Sequence, residues 1–178
     1  MLSTSRIIMR RFESGDFAAF AALNADPDVM AYFPSVLSAS ESDQLAGRIQ
    51  SKFDDKGWGL WAVELLESGE FIGFVGLNEP DAGLPFEPCT EVGWRVARQY
   101  WGRGYATEAA HRALRFAFEV LRLPEVVSFT AVRNERSRAV MRRLGMKNTG
   151  RNFAHPMVAA RTGLQEHVLY SLCEADFR

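Results

Sequence analysis

The chain has 178 residues, 47% of them hydrophobic, enough apolar material for one substantial core and within the usual size of one domain. It holds no apolar run of about 18 residues, and Met1 to Arg11 lacks a signal-peptide core, so a soluble, cytoplasmic protein without membrane contact is expected. A formal charge of -1 excludes the broad attraction that dominates nucleic-acid binding, while Cys89 and Cys173 are too few for a disulfide framework and lack zinc-ligand spacing, so no metal is expected.

Arg6 to Phe12 alternates weakly and reads as a first strand. Asp16 to Asn24 reads as a short helix with Phe17, Phe20, Ala21 and Leu23 as its apolar positions, ended by Asp26-Pro27-Asp28. A second helix is expected to begin with Ser40 or Ser42 as cap, to carry Leu45, Ile49 and Phe53 at helical spacing, and to stop at Gly57. Trp58 to Leu66 and Phe71 to Leu77 are β-type runs joined by Glu67-Ser68-Gly69-Glu70, which predicts an antiparallel hairpin. Asn78 to Pro88, with its prolines and glycine, is a loop, and Cys89 to Val96 resumes as a strand.

The pattern changes after Gln99. Tyr105 to Arg122 places Ala106, Ala109, Ala110, Ala113, Leu114, Ala117, Val120 and Leu121 on one helical face, limited by Pro124. Glu125 to Val132 reads as a buried strand; following a crossover helix, it should lie parallel to the strand before it. Arg136 to Leu144 is a short helix closed by Gly145, and strands are expected at Met146 to Gly150 and Glu166 to Cys173, with no clear pattern between Gly150 and Gly163. The expected fold class is α/β: one mixed, mostly antiparallel sheet with flanking helices and a β-α-β unit in its second half.

Gln99-Tyr100-Trp101-Gly102-Arg103-Gly104 falls between a strand and a helix. Its glycines let backbone N–H groups approach a ligand, and the first helical turn adds partial positive charge, which suits a pyrophosphate. Arg98 and Arg103 flank the loop as a phosphate would favour, although a plain strand-to-helix turn also uses glycines.

That segment matches the Q/R-x-x-G-x-G/A signature of the GNAT superfamily, and with Tyr105-Ala106-Thr107-Glu108-Ala109 it resembles the RimJ/RimL type of N-acetyltransferase. The resemblance extends over Arg6 to Phe12, Asp26 to Met30, Phe71 to Leu77, Asn134 to Met146 and Glu166 to Tyr170, nearly the whole chain, and implies a single GNAT domain over residues 1–178. It implies acetyl-CoA as cosubstrate and an amine as acceptor, either a small molecule or a peptide such as a ribosomal-protein N-terminus. The central parallel strands would splay, so that backbone groups near Trp94 and Val96 pair with the pantetheine arm. Gln99, Trp101, Gly102, Arg103 and Gly104, with Tyr105 and Ala106, would receive the pyrophosphate. Asn134 matches the asparagine that reaches the pantetheine end, and Ser137 the small residue one turn later; Asn134 also reads as a helix cap.

Acetyl transfer needs a neutral amine, yet an alkyl amine with a pKa near ~10 is mostly protonated at neutral pH, so a base is required. Glu91, before Val92-Gly93-Trp94, is the nominated base or else an exposed strand-end charge; Glu79 is a weaker candidate. Many GNAT enzymes carry a tyrosine acid four residues before the glycine that ends the next helix, where this chain has Met141. Ser137 or solvent would then protonate the leaving thiolate, with Tyr170 and His155 unplaced. Trp58, Trp61 and Tyr32-Phe33-Pro34 read either as core or as an acceptor wall, and Arg136, Arg138, Arg142 and Arg143 as a solvated helix face rather than a nucleic-acid platform. The rival reading is a CoA-binding sensor without turnover. Monomer and homodimer both remain open.

Overall fold

The computed structural model describes residues 1–178. β1 (Leu2–Ser3) and β2 (Ile7–Arg10) lead into α1 (Phe17–Ala25) and α2 (Ala39–Lys56), and β3 (Leu60–Leu65), β4 (Phe71–Asn78) and β5 (Glu91–Val96) continue the sheet. α3 (Tyr105–Glu119) crosses over to β6 (Glu125–Ala131), and α4 (Glu135–Arg143), β7 (Lys147–Asn148), β8 (Phe153–Ala154) and β9 (Glu166–Cys173) follow. The strand order is β1-β2-β3-β4-β5-β6-β9-β7, with β8 also on β9. Only β5 and β6 run parallel, as expected for strands joined by a crossover helix. This is the mixed, mostly antiparallel α/β sheet that the sequence predicts.

Two apolar layers hold the sheet. On one face α3 lays Ala109, Ala110, Ala113, Leu114 and Ala117, all without solvent exposure, against Ile72, Val75, Leu77 and Val92. Its small side chains bring the helix backbone close to the strands. On the other face α1 and α2 bury Phe20, Leu23, Ala46 and Ile49 with Phe12 and Phe74. Phe12 meets Phe20 edge-on at 5.2 Å, a geometry that adds to simple area burial.

Several boundaries differ from expectation for local reasons. α3 stops at Glu119, because Arg122 takes a left-handed φ of 56° just before Pro124, and Val120 is left exposed. α2 is capped by Ser38, neither Ser40 nor Ser42. Ser38 Oγ accepts from the Glu41 N–H at 3.3 Å, and the Glu41 carboxylate accepts from the Ser38 N–H at 2.8 Å, a reciprocal capping box. Ser42 is fully buried and accepts from Asn24 Nδ2 at 2.8 Å, tying α1 to α2. Ser38→Ala is expected to cost about 1 kcal/mol, read as a lower urea midpoint at unchanged m-value.

β5 and β6 share one register pair, Glu91↔Val127, where the Val127 N–H donates to the Thr90 carbonyl at 2.9 Å. Beyond it the two strands diverge toward their C-terminal ends. Antiparallel strands alternate which residues bond to a given neighbour; since the Ala97 N–H donates to the Ile72 carbonyl, the backbone groups of Trp94 and Val96 face the gap and not β4.

Candidate active site

A cleft of about 1290 Å³ opens where β5 and β6 part. It is lined from both faces of the sheet. Gly102, Gly104, Asn134, Ser137 and Met141 reach it from the α3–α4 side, while Tyr32, Phe33, Glu91, Arg95 and His155 reach it from the α1–α2 side. Two substrates entering from opposite faces would meet inside the sheet.

On the first side, Gly102 and Gly104 adopt φ of 77° and 84°, values that L side chains rarely take. A Cβ added at Gly102 would meet nothing within 4 Å, so the cradle is open. Gly104 is the N-cap of α3 and has no side chain to offer, and no side-chain cap bonds the first-turn N–H groups. A 15-residue helix thus aims uncompensated donors and a positive dipole end at the cleft, which fits a pyrophosphate. Tyr105, Ala106 and Trp101 also line it. The Trp101 indole donates to the Val96 carbonyl at 2.7 Å, so of the backbone groups expected to meet a pantetheine arm, the Val96 carbonyl is already taken. Gln99 and Arg103 are exposed and lie outside the cleft wall, and the Arg103 guanidinium packs over the Tyr100 ring at 5.7 Å.

Arg6, which the sequence marks only as a strand residue, pins this loop. Its Nη1 donates to the Arg103 carbonyl at 3.1 Å, its Nε to the Glu108 carboxylate at 2.7 Å, and its guanidinium lies 4.6 Å from the Tyr105 ring centroid. Thr4 Oγ1 also donates to Glu108. Arg6→Ala is expected to weaken CoA binding roughly fivefold, about 1 kcal/mol for a half-exposed charged hydrogen bond, as measured by calorimetry.

Asn134 is a cap in this structure. Its Oδ1 accepts from the Ser137 N–H at 3.2 Å, and its Nδ2 donates to Thr130 Oγ1 at 2.9 Å and Ser137 Oγ at 3.1 Å. With Ser137 Oγ accepting from Asn134, its own proton is available on the cleft side. Met141, 1% exposed, fills the place where an acid was expected.

On the second side the face of β5 carries Glu91, Gly93 and Arg95, opposite Asn78, Gly76 and Phe74 of β4. Burial pushes the Glu91 carboxyl up to about 7, against the pull of a hydrogen bond with Asn78 and the charge of Lys52. Lys52 Nζ donates to Asn78 Oδ1 at 2.8 Å, which holds its charge on the residue paired across the strands with Glu91. Glu79 lies outside the cleft, ion-paired with Lys56. His155 and His167, their ring centroids 4.9 Å apart, close the far wall; burial holds both below the usual imidazole pKa. Tyr170 is buried beside Arg138, away from the cleft. Tyr32, Phe33 and Pro34 form an outer lip, whereas Trp61 is core; Trp58 lines a smaller cleft of about 250 Å³ beside α2. Of the basic run on α4, Arg138 pairs with Glu135, and Arg136 stacks over Trp101 at 4.4 Å.

Arg95 and His167 escaped the sequence reading. The signal for Arg95 was present: a charge set between Trp94 and Val96 in an otherwise apolar strand. His167 reads as one polar residue in an edge pattern, and only the fold brings it to His155.

No group of three His, Cys, Asp or Glu converges as a metal site, and no helix is long and apolar enough to cross a membrane. A family model described as Acetyltransferase (GNAT) domain matches residues 6–147. The Bacillus subtilis (strain 168) protein YkkB, itself described as uncharacterized, is 32% identical over 148 residues, which span 82% of this chain and 84% of that one. The GNAT-family acetyltransferase of Bacillus anthracis has the same fold at a TM-score of 0.80 and 22% identity, with 98% of each chain covered. So does spermidine N-acetyltransferase of Vibrio cholerae, solved with CoA and spermine, at a TM-score of 0.75 and 21% identity over 97% of this chain and 98% of its own. The match over residues 6–147, on a sheet that opens beside a glycine-lined helix start, makes this chain a member of the GNAT acetyltransferase family.

Proposed function

We propose that the protein transfers the acetyl group of acetyl-CoA directly to a primary amine, on a peptide N-terminus or a small molecule, with Glu91 as general base. The observation that carries this reading is the single cleft lined from both faces of the sheet, with an open glycine cradle on one side and a carboxyl of near-neutral pKa on the other. The RimJ/RimL resemblance of Gln99 to Ala109 supports a protein N-terminus as one acceptor class.

Acetyl-CoA supplies a thioester carbonyl open to nucleophilic attack. Gly102, Gly104 and the first turn of α3 hold the phosphates, and the backbone groups of Trp94 with the Val96 N–H are free to bond along the gap. Glu91, directly or through water, takes a proton from the ammonium form of the acceptor. A base with a pKa near the working pH is efficient in that role, since it is substantially ionised yet still basic. The Ser137 hydroxyl, which lines the cleft, would pass a proton to the departing thiolate and regain one from solvent, help that the thiol pKa of about 8.5 makes modest. Cys89 is held unreactive: burial and nearby carboxylates push its thiol up to about 11, which supports direct transfer over an acyl-enzyme.

Met141 in place of the acid favours a second reading, a CoA-binding sensor without turnover. Thiol release from acetyl-CoA by purified protein, across peptides, amino acids, polyamines and aminoglycosides, separates the two. Acceptor-dependent release whose kcat rises through an apparent pKa of about 7 is the expected result. CoA binding without release on the whole panel supports the sensor instead.

A further inference from the structure

Arg95 differs from the other inward-facing arginines. Arg10 is paired with Asp16 and Glu64, and Arg138 with Glu135, but no carboxylate lies within ion-pair reach of Arg95. Its Nη1 donates to Asn24 Oδ1, and its Nε is buried without any hydrogen-bond partner. Phe33 and Phe74 flank the guanidinium, with centroids 4.2 Å and 5.2 Å away. The nearby Asp28 carboxylate is held by Arg98 at 2.5 Å. A desolvated cation without a counter-charge is costly, and burial pushes this one down to about 10, still charged at neutral pH. A planar guanidinium fixed between rings on the wall of a substrate cleft is suited to a carboxylate, which it can bond through a fork of donors.

The position of Arg95 sets what such a ligand looks like. Glu91, Gly93 and Arg95 share one face of β5, so Glu91 and Arg95 are about 13 Å apart along the backbone. The Glu91 carboxyl leans over Gly93 towards Arg95: a Cβ at Gly93 would meet its Oε1 at 3.6 Å and nothing else but that side chain within 4 Å. From Gly93 to Arg95 is about 7 Å of strand, so an amine at Glu91 and an anion at Arg95 would belong to one short ligand, separated by no more than about two residues.

We infer that the acceptor is an amine bearing a carboxylate no more than about two residues away, received with its amine at Glu91 and its carboxylate at Arg95. This rests on the amine acetylation proposed above. Two sources carry that chemistry: the C-terminus of a free dipeptide, and an acidic side chain near the N-terminus of a longer peptide.

The test is kcat/KM at saturating acetyl-CoA for matched pairs: Ala-Ala against its C-terminal amide, and Ala-Glu-Ala-amide against Ala-Gln-Ala-amide. The carboxylate partner of at least one pair should be preferred about tenfold or more, carried mainly by KM, and the pair that responds identifies the source. Arg95→Met should bring the ratio to near one, and Arg95→Lys should restore part of it. Equal kcat/KM within both pairs overturns the inference on the wild-type protein alone, while acetyl transfer stands. A preference that survives in Arg95→Met overturns it too, as does a loss in that variant confined to acetyl-CoA affinity. Absence of thiol release with every amine, simple alkylamines included, sinks the proposed function and this inference together.

Discussion

Replacing Glu91 with glutamine is expected to lower kcat/KM by about two to four orders of magnitude while making the folded protein more stable above neutral pH. The two effects share one cause. The fold holds the Glu91 carboxyl in a place that raises its pKa from 4.5 to about 7, so the protonated form is the one the native state favours. The stability it contributes is fully present below pH 4.5 and is lost as pH rises through about 7. Above that, the ionised carboxylate costs up to about 3 kcal/mol, less whatever its partial opening to the cleft restores in hydration. Glutamine keeps the shape, carries no charge and cannot accept a proton. Thermal unfolding should therefore show Glu91→Gln more stable than wild type at pH 8 and little changed at pH 4, with the steep loss of activity at both acetyl-CoA and acceptor saturation. A variant as active as wild type, or one destabilised at pH 8, would remove Glu91 from the role given to it.

The second large effect belongs to Gly102→Asp, which should raise the Kd for CoA by about 100-fold or more. Space is not the reason, because a Cβ there meets nothing within 4 Å. Two other terms act. A φ of 77° costs a non-glycine residue about 1–2 kcal/mol, and a carboxylate placed beside a pyrophosphate at about 4 Å adds roughly 4 kcal/mol of repulsion near a protein surface. Gly102→Asn separates them: asparagine tolerates the left-handed region and carries no charge, so it should cost about tenfold or less. Calorimetric titration of CoA into the three proteins reads both. Equal affinities for wild type and Gly102→Asp would place the phosphates elsewhere.

Much of the fold was legible because its signals are local. Period-two runs separated by Gly, Pro and Ser gave the hairpin of β3 and β4, and the alanine-rich face of α3 announced a helix that packs closely on a sheet. The β-α-β order then dictated one parallel pair. The errors fall where two local signals compete. Ser38, Ser40 and Ser42 all offer a cap hydroxyl, and what singles out Ser38 is the Glu41 three residues on, a reciprocal bond that spacing alone does advertise. Ser42 was misread because its partner, Asn24, lies on another helix.

The glycine loop was equally legible as a turn that opens α3, since its left-handed backbone is a conformation that only glycine adopts cheaply. Side chains acting at long range were not. Arg6 clamps the loop across 102 residues of sequence to Glu108, and His155 finds His167 only after β8 and β9 pair. Gln99 and Arg103 show the opposite case: they belong to the motif that marks the loop, yet both side chains are exposed and outside the cleft wall, and Arg103 packs over the Tyr100 ring.

The most direct test of direct acetyl transfer to an amine is a mass balance on a single turnover with excess protein, in which acetyl-CoA, the best amine of the panel and the protein are all followed by mass spectrometry. One N-acetyl amide formed for each thiol released, with the protein mass unchanged at every time, is the predicted result. An acetyl group accumulating on the protein before the amine is added, or CoA bound and recovered still acetylated with every amine, would contradict it.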